Sequence, residues 1–400
     1  MKKSKFSVAL KTSLIPCCTV MFALFTLFIL PAHGQDNGKK IVVNFDARYF
    51  DTTQRKADFL TYKGFKAMKI SKSPGRQTIP VGLKGITFQD GTIEFDAIPP
   101  SDNYNDGIAI NFHQKDPFNF ETVYLRLEPD ETSQRDDAIQ YTPYIHGVNL
   151  WDMMKPFRGY ATIHNKEWNH IKLVISGLQM MVYVNDFKKP ALKVSRLEGN
   201  DPTGGISFDG EAYFANLVIK PGATEQLSPL EGPDWTDNDP SYMRKWMVTA
   251  PKTLEKGREL TAEDLPSEAT PWQPIDAERR GLINLIRRFK GELTSYPKER
   301  RYVWLKTTIR SLKQQHVGMQ LGFNKEVYVF LNKRLIYIDK NSAEERLQKY
   351  PGGLLDIGNT EFDLPLKEGD NEVLIGIAAK NYGWGIMARI KSLDYLFIQR

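Results

Sequence analysis

Two carboxylates placed two residues apart are the sharpest catalytic signal in the sequence. Glu94 and Asp96 lie in the stretch GTIEFDA at 91–97, in which apolar and polar residues alternate. This alternation predicts a strand that turns both carboxylates to one face, with Cα atoms about 7 Å apart. Glycosidases use a pair of carboxyl groups at about this separation, so Glu94 and Asp96 are candidate catalytic residues. Charged outer faces of strands are common, and a purely structural role stays open.

A second group combines an aromatic ring with planar polar side chains. Its members are expected on the polar faces of neighbouring strands and in the loop that follows them: Asn111, His113, Tyr124, Arg126, Gln140 and Trp151. Sugars offer an apolar face for ring contacts and hydroxyls for hydrogen bonds, so these residues are candidate ligand-binding residues. The alternative is that His113 and Arg126 form a satisfied cross-strand pair and that Trp151 is a core aromatic.

Calcium is the cofactor that the sequence leaves open. Asp116, Glu121, Asp136 and Asp137 could offer hard oxygen ligands at the rim of a sandwich. The histidines lack a zinc-binding spacing, so no metal site is assigned and no other cofactor is expected.

These residues must be positioned by strands. Short β-like runs separated by Gly, Pro, Asn and Asp extend from about residue 40 to 220 and return from 301, which predicts an all-β chain of two β-sandwich domains. The clearest runs are 91–97, 107–113, 121–127, 170–176 and 178–185, and then 302–309, 317–321, 327–331, 334–338, 361–364 and 372–378. Residues 342–350 (SAEERLQKY) predict a short helix with Ser342 as N-cap and Glu345 as its capping-box partner.

The N-terminus predicts export. Residues 1–34 show a basic start, an apolar run and the tripeptide Ala32-His33-Gly34, as expected of a signal peptide cleaved before Gln35. The four leader lysines account for most of the formal charge of +6, leaving +2, so nucleic acid is not expected as a partner. Both cysteines, Cys17 and Cys18, also lie in the leader, which excludes disulfides from the mature chain. We expect a secreted, periplasmic or cell-surface protein without a membrane span after cleavage.

The segment between the two β-patterned regions differs in composition. Residues 223–300 are rich in Pro, Glu, Asp and Trp and predict a linker that leads into the first strands of the second domain. The expected domains are therefore 40–222 and 301–400.

The first domain resembles the concanavalin A-like lectin/glucanase superfamily in its laminin-G-like form. The resemblance rests on GTIEFDA at 91–97, GIAINFHQKDPFNFETVYLRLEP at 107–129, DAIQYTPYIHGVNLW at 137–151 and EWNHIKLVISGLQMMVYVND at 167–186. It implies a sandwich of the kind found in exported bacterial carbohydrate-active proteins. Related folds include secreted 3-keto-disaccharide hydrolases, so a hydrolase is an alternative.

The second domain resembles a sugar-binding, galactose-binding-like jelly roll. The residues that carry this resemblance are VYVFLNKRLIYID at 327–339, LKEGDNEVLIGIA at 366–378 and YGWGIMARI at 382–390. In the last of these, Tyr382 and Trp384 could form a stacking platform, although inward packing is the alternative. Together the two resemblances predict a glycan-binding protein, with a polysaccharide hydrolase or a structural, adhesive surface protein as alternatives.

Overall fold

The computed structural model of the chain describes residues 40–71, 79–99, 107–128, 135–293, 299–343 and 346–399. The predicted signal peptide at 1–34 and the predicted capping residue Glu345 lie outside these ranges.

The first half of the described chain is built from sixteen strands. They are β1 Ile41–Val43, β2 Phe50–Asp51, β3 Ala57–Tyr62, β4 Phe65–Ile70, β5 Val81–Leu83, β6 Gly91–Ile98, β7 Ile108–Asp116, β8 Asn119–Leu125, β9 Ile139–Ile145, β10 Val148–Asn149, β11 Arg158–Gly159, β12 Asn169–Ser176, β13 Gln179–Val184, β14 Leu192–Val194, β15 Gly205–Asp209 and β16 Ala212–Pro221. The five runs that the sequence predicted in this half are therefore strands β6, β7, β8, β12 and β13.

These strands form two antiparallel sheets that pack face to face. Sheet 1 has the order β14-β13-β12-β6-β16-β4-β3, with β1 on β16, and sheet 2 has the order β10-β9-β8-β7-β15-β5-β2, with β11 on β9. Alternating residues such as Ile93 and Phe95 of sheet 1 and Ile110 and Val123 of sheet 2 enter one hydrophobic core. The residues between them in sequence are consequently turned to the two outer faces.

Twelve further strands form the second half. They are β17 Lys245–Val248, β18 Lys252–Leu254, β19 Gln273–Asp276, β20 Leu282–Asn284, β21 Arg300–Ser311, β22 Gln315–Phe323, β23 Lys325–Leu331, β24 Arg334–Asn341, β25 Thr360–Leu366, β26 Gly369–Ala379, β27 Gly385–Ile390 and β28 Leu396–Ile398. Sheet 3 has the order β19-β17-β21-β26-β23-β24, with β18 and β28 on β21, and sheet 4 has the order β20-β27-β22-β25. The all-β prediction is confirmed.

Strand β21 is covered on both faces. Val303 and Leu305 belong to the main hydrophobic core, whereas Trp304 belongs to a smaller core with Leu254 and Leu260. A strand buried on both sides needs a continuous apolar run, and the sequence YVWL at 302–305 provides it.

Helical structure is limited to short segments. They are the α-helix α1 Leu285–Arg288 and the 3-10 turns Ala47–Tyr49, Trp151–Met153, Lys155–Phe157, Ala262–Asp264 and Arg279–Gly281. The helix predicted at 342–350 is wrong in its described part, because residues 346–350 adopt turns and irregular backbone. The described residues contain no helix with the length and hydropathy needed to cross a membrane.

Candidate functional site

The outer face of sheet 2 carries rows of polar side chains. The register places Ser207, Asn111, Thr122 and Thr142 side by side across four strands. All four are buried, and Asn111 donates its amide Nδ2–H to Ser207 Oγ at 3.0 Å. Asn111 therefore lies on the predicted face, but its partner there is a protein hydroxyl.

The neighbouring row brings three of the predicted residues into one hydrogen-bonded cluster. Arg126 Nη2 donates to the Tyr124 hydroxyl at 2.9 Å and to Gln140 Oε1 at 2.7 Å, and the Tyr124 hydroxyl donates to Gln140 Oε1 at 2.9 Å. The Arg126 guanidinium also lies 4.8 Å from the centre of the Tyr124 ring. Since Gln140 Oε1 accepts both hydrogen bonds, its amide nitrogen must point the other way.

That amide nitrogen holds Trp151. Gln140 Nε2 donates to the Trp151 carbonyl oxygen at 2.8 Å, and Asn149 Oδ1 accepts from the Trp151 backbone N–H at 3.0 Å. Gln140 itself is fully buried, whereas Trp151, Tyr124 and Arg126 are partly exposed. Gln140 thus positions its neighbours, and the accessible groups of the cluster belong to Trp151, Tyr124 and Arg126.

Burial fixes the protonation of this cluster. It raises the pKa of the Tyr124 hydroxyl to about 12, so the hydroxyl keeps its proton at neutral pH and donates to Gln140. Burial also acts to raise the pKa of Asp137, but a hydrogen bond from Arg135 and the charges of nearby arginines outweigh it and lower that pKa. Asp137 therefore stays ionised beside Arg126, whose Nη1 donates to the Asp137 carbonyl oxygen at 2.7 Å.

His113 does not belong to this cluster, and its predicted place on the polar face is wrong. The β7–β8 register shifts after Phe112, and His113 adopts a left-handed φ of 49° at this bulge. Its side chain is buried, with Nδ1 at 3.1 Å from Glu121 Oε1 and Nε2 at 2.7 Å from the Gln89 carbonyl oxygen. A bulge adds one residue to the strand and so reverses the face that the alternation predicts.

Trp151 meets an aromatic ring of the second sandwich. The Trp151 and Tyr382 ring centroids are 5.9 Å apart in an edge-to-face arrangement, and Tyr382 is partly exposed. Lys325 Nζ lies 5.4 Å from the centre of the Tyr382 ring. The candidate site is therefore built by both sandwiches.

A buried ion pair fixes this junction. Asp152 is fully buried, its Oδ2 lies 2.9 Å from Lys325 Nζ, and its Oδ1 accepts from the Gly383 backbone N–H at 2.9 Å. A side chain at position 383 would collide with Met153, because an added Cβ would lie 2.4 Å from Met153 Cγ. Glycine therefore lets the turn that carries Tyr382 approach the turn that carries Trp151.

Trp384 does not contribute a platform. Its ring is fully buried in the hydrophobic core, and its Nε1–H donates to the Ile377 carbonyl oxygen at 3.3 Å. Of the two aromatic residues considered in the second sandwich, only Tyr382 reaches the site.

Glu94 and Asp96 lie on the outer face of sheet 1, on the opposite side of the first sandwich. Glu94 Oε1 accepts from Lys220 Nζ at 2.7 Å, and Asp96 accepts from the His170 ring and from Asn216 Nδ2. The hydrogen bond with Asp96 raises the pKa of His170. Both carboxylates thus take part in ion pairs that neutralise them, and neither is near Trp151 in the fold.

The four candidate calcium ligands each have partners within the protein, and Asp136 and Asp137 share Arg158. Asp116 accepts from the backbone N–H groups of the turn at 118–119, Asp136 pairs with Arg158, Asp137 with Arg135, and Glu121 with His113. Within the described ranges, no three His, Cys, Asp or Glu residues come together as metal ligands.

No protein-family model and no curated protein matches the chain. Among solved structures, it is similar to the carbohydrate-binding module CBM66 from Bacillus subtilis, with 13% identity and a TM-score of 0.29 over 43% of this chain and 95% of that one. It is similar to Bacillus licheniformis β-glucanase, with 10% identity and a TM-score of 0.31 over 46% and 98% of the two chains. A third similar structure is the VIP36 exoplasmic/lumenal domain in its Ca²⁺/Man3GlcNAc-bound form, with 11% identity and a TM-score of 0.31 over 50% and 93%.

At such identities and TM-scores these similarities carry no argument about this chain, and its function has to be argued from the side chains described above.

Sequence reasoning missed the residues that make the junction. Asp152 and Lys325 are 173 positions apart in sequence, and nothing in either local pattern connects them. The nearest available signal was Gly383, since a glycine beside an aromatic residue often marks a close backbone approach.

Proposed function

We propose that the protein binds a glycan at the junction of its two sandwiches, on the outer face of sheet 2. The observation that carries the proposal is the meeting of two partly exposed rings, Trp151 and Tyr382, at a turn that Gln140 links by hydrogen bonds to the Arg126 guanidinium. Aromatic rings contact the apolar face of a sugar. Of the five N–H groups of an arginine, three in Arg126 donate to Asp137, Tyr124 and Gln140, which leaves two for sugar hydroxyls. The buried Gln140 and Asp152 hold these groups in place, so binding costs little further side-chain conformational entropy.

The test is a binding measurement with a panel of soluble polysaccharides, namely laminarin, xylan and mannan. Replacing Trp151 by Ala removes a ring surface and should weaken binding by about 1–3 kcal/mol, on the order of burying one large side chain. Tyr382→Ala and Arg126→Ala should each weaken binding to the same polysaccharide.

A matched control is available for the loss of an aromatic ring. Trp235 is 88% exposed and lies outside the junction cluster, so Trp235→Ala should leave affinity unchanged. Loss of binding in the Trp235 variant with full binding in the Trp151 variant would move the site away from the junction.

The hydrolase alternative is tested in the same experiment. It depends on Glu94 and Asp96, which would have to act as acid and nucleophile although both are engaged by cationic or amide donors. Release of reducing ends from any polysaccharide of the panel, abolished by Glu94→Gln, would establish hydrolysis in place of simple binding.

We also propose that the protein is exported, on the strength of the leader sequence. The mature chain should then begin at Gln35, which intact-mass analysis of the protein from its native host would measure. A mass that retains Met1 would overturn this proposal.

A further inference from the structure

A separate group of aromatic rings surrounds the turn between β3 and β4. Lys63 and Gly64 form this turn with φ values of 38° and 86°, which brings Tyr62 opposite Phe65. Two consecutive left-handed residues are a favoured connection of a two-residue hairpin. The turn therefore holds two aromatic side chains next to each other at the end of sheet 1.

Two further rings complete the group. Trp168 lies edge-on to Tyr62 and Phe65, with centroid distances of 6.1 and 5.7 Å, and Tyr213 stacks on Tyr62 at 3.8 Å. The hydrophobic cores of the described residues include none of these four rings, and Phe65 is 39% exposed. An aromatic group on an outer face, rimmed by polar residues, is a feature of binding surfaces.

Two lysine ammonium groups border the rings. Lys63 Nζ lies 5.9 Å from the Tyr62 ring centre and donates to the Lys166 carbonyl oxygen, and Lys69 Nζ lies 5.4 Å from the Tyr213 ring centre. Asp58 is opposite Lys69 in the register, but its ion pair is with Lys56 at 3.7 Å. Within the described part of the chain, no carboxylate lies at ion-pair distance from Lys63, Lys69 or Lys166.

A row of four residues crosses the sheet beside the ring group. The register places Ala67, Ala215, Asp96 and His170 side by side on four neighbouring strands, directly beside the Tyr213 row. Four strands span about 14 Å at roughly 4.8 Å per strand. Ala67 and Ala215 are fully buried, and Asp96 is a buried carboxylate bonded to His170 and Asn216, so the accessible part of this face is the ring group with its lysines.

We propose that this aromatic–lysine face binds an anionic polysaccharide. The sugar rings would contact Trp168 and Phe65, and the carboxylate or sulfate groups of the sugars would pair with the unpaired lysines. The face lies on sheet 1, on the opposite side of the sandwich from the Trp151 junction. It is therefore a second site, and its existence does not depend on the junction binding a glycan.

The probes are two anionic polymers, polygalacturonate and dextran sulfate, and two comparison polymers. Fully methyl-esterified polygalacturonate has the same backbone without charge, and a mixed-sequence 20-nucleotide DNA strand has charge and stackable bases. We expect titration calorimetry on the full mature chain to show binding of at least one anionic polysaccharide, weakened as salt is raised. Equally tight binding of the esterified polymer, or tighter binding of the DNA strand, would overturn the proposal.

Variants locate the site. Phe65→Ala and the double charge reversal Lys63→Glu with Lys69→Glu should each lower affinity for the anionic polymer at least tenfold, with unchanged thermal midpoints for the surface lysine variant. Lys256→Glu in an exposed turn of the second sandwich should keep wild-type affinity, and Trp151→Ala is measured beside it to show whether the polymer occupies the junction. A tenfold loss in the Lys256 variant would show non-specific charge attraction, and a loss only in the Trp151 variant would assign the polymer to the junction; either result refutes the second site.

Discussion

Replacing Asp152 by Asn would test how the two sandwiches are held together. The substitution keeps the size of the side chain and an oxygen that can accept from the Gly383 backbone N–H, but it removes the charge that faces Lys325. Lys325 Nζ lies 2.9 Å from Asp152 Oδ2, and the side chains are 8% and 0% exposed. In Asp152→Asn the ammonium group would therefore remain buried without a counter-charge.

The magnitude follows from this burial. Breaking a buried ion pair by removing one partner typically costs about 3–5 kcal/mol, because the other charge stays desolvated. We expect Asp152→Asn to lower the free energy of unfolding by that amount. Adding Lys325→Met removes the stranded charge, so the double variant should be more stable than the sum of the two single effects by about 1–3 kcal/mol.

The assay is urea denaturation followed by tryptophan fluorescence, with Asp276→Asn as the matched control. Asp276 forms an ion pair of the same length, 2.9 Å, with Lys245, but the two side chains are 64% and 47% exposed. An exposed pair contributes about 0–1 kcal/mol, so the control should change little. If Asp152→Asn and Asp276→Asn destabilise the chain equally, the junction is not held by the buried pair.

Three further outcomes are expected. The hydrogen bond with Asp96 raises the pKa of His170 above its unfolded value of about 6.5, so this stabilisation is present below about pH 6.5 and is lost as pH rises through the folded pKa. Urea midpoints measured from pH 6 to 9 should therefore fall in the wild type and change less in His170→Gln. Parallel curves for the two proteins would contradict this. Glu94→Gln breaks the pair with Lys220 and should cost at most about 1 kcal/mol without changing reducing-end release; a release assay that falls would instead make Glu94 catalytic. Glu121→Ala leaves two buried donors without their acceptor and should cost about 2–4 kcal/mol in urea unfolding, whereas a cost near zero would mean that water replaces the carboxylate.

The strands of the first sandwich were predictable because one face of each strand packs into the hydrophobic core. In β6, Ile93 and Phe95 enter the hydrophobic core while Glu94 and Asp96 face outward, as alternation requires. The same rule placed Tyr124 and Gln140 on the polar faces of their strands, and the structure shows them as cross-strand partners. Local periodicity is enough for this part of the fold, since each residue's face depends only on its strand neighbours.

The rule failed where the backbone departs from a regular strand. The bulge after Phe112 turned His113 into the interior, where it meets Glu121, a carboxylate that is 2% exposed. A bulge is set by hydrogen bonding with the partner strand, which a single strand's sequence does not reveal. The sequence did not predict the contact between Trp151 and Tyr382 for a related reason. That contact depends on how the two sandwiches pack against each other, which no local pattern reveals.

Ionic strength should act differently on the two outer faces of the first sandwich. The pair that fixes the junction is enclosed by protein, so dissolved ions cannot enter between Asp152 and Lys325. The lysines around Phe65 lie within reach of dissolved ions. Added salt shortens the Debye length, which is about 8–10 Å at physiological ionic strength, and so weakens their attraction for an anionic polymer. In a dilute medium the chain could hold a glycan on each face and so link two polymers, whereas in a saline medium it would keep only the ligand at the junction. If both proposed sites bind, the salt content of the surroundings would decide whether one chain links two polymers or holds only one.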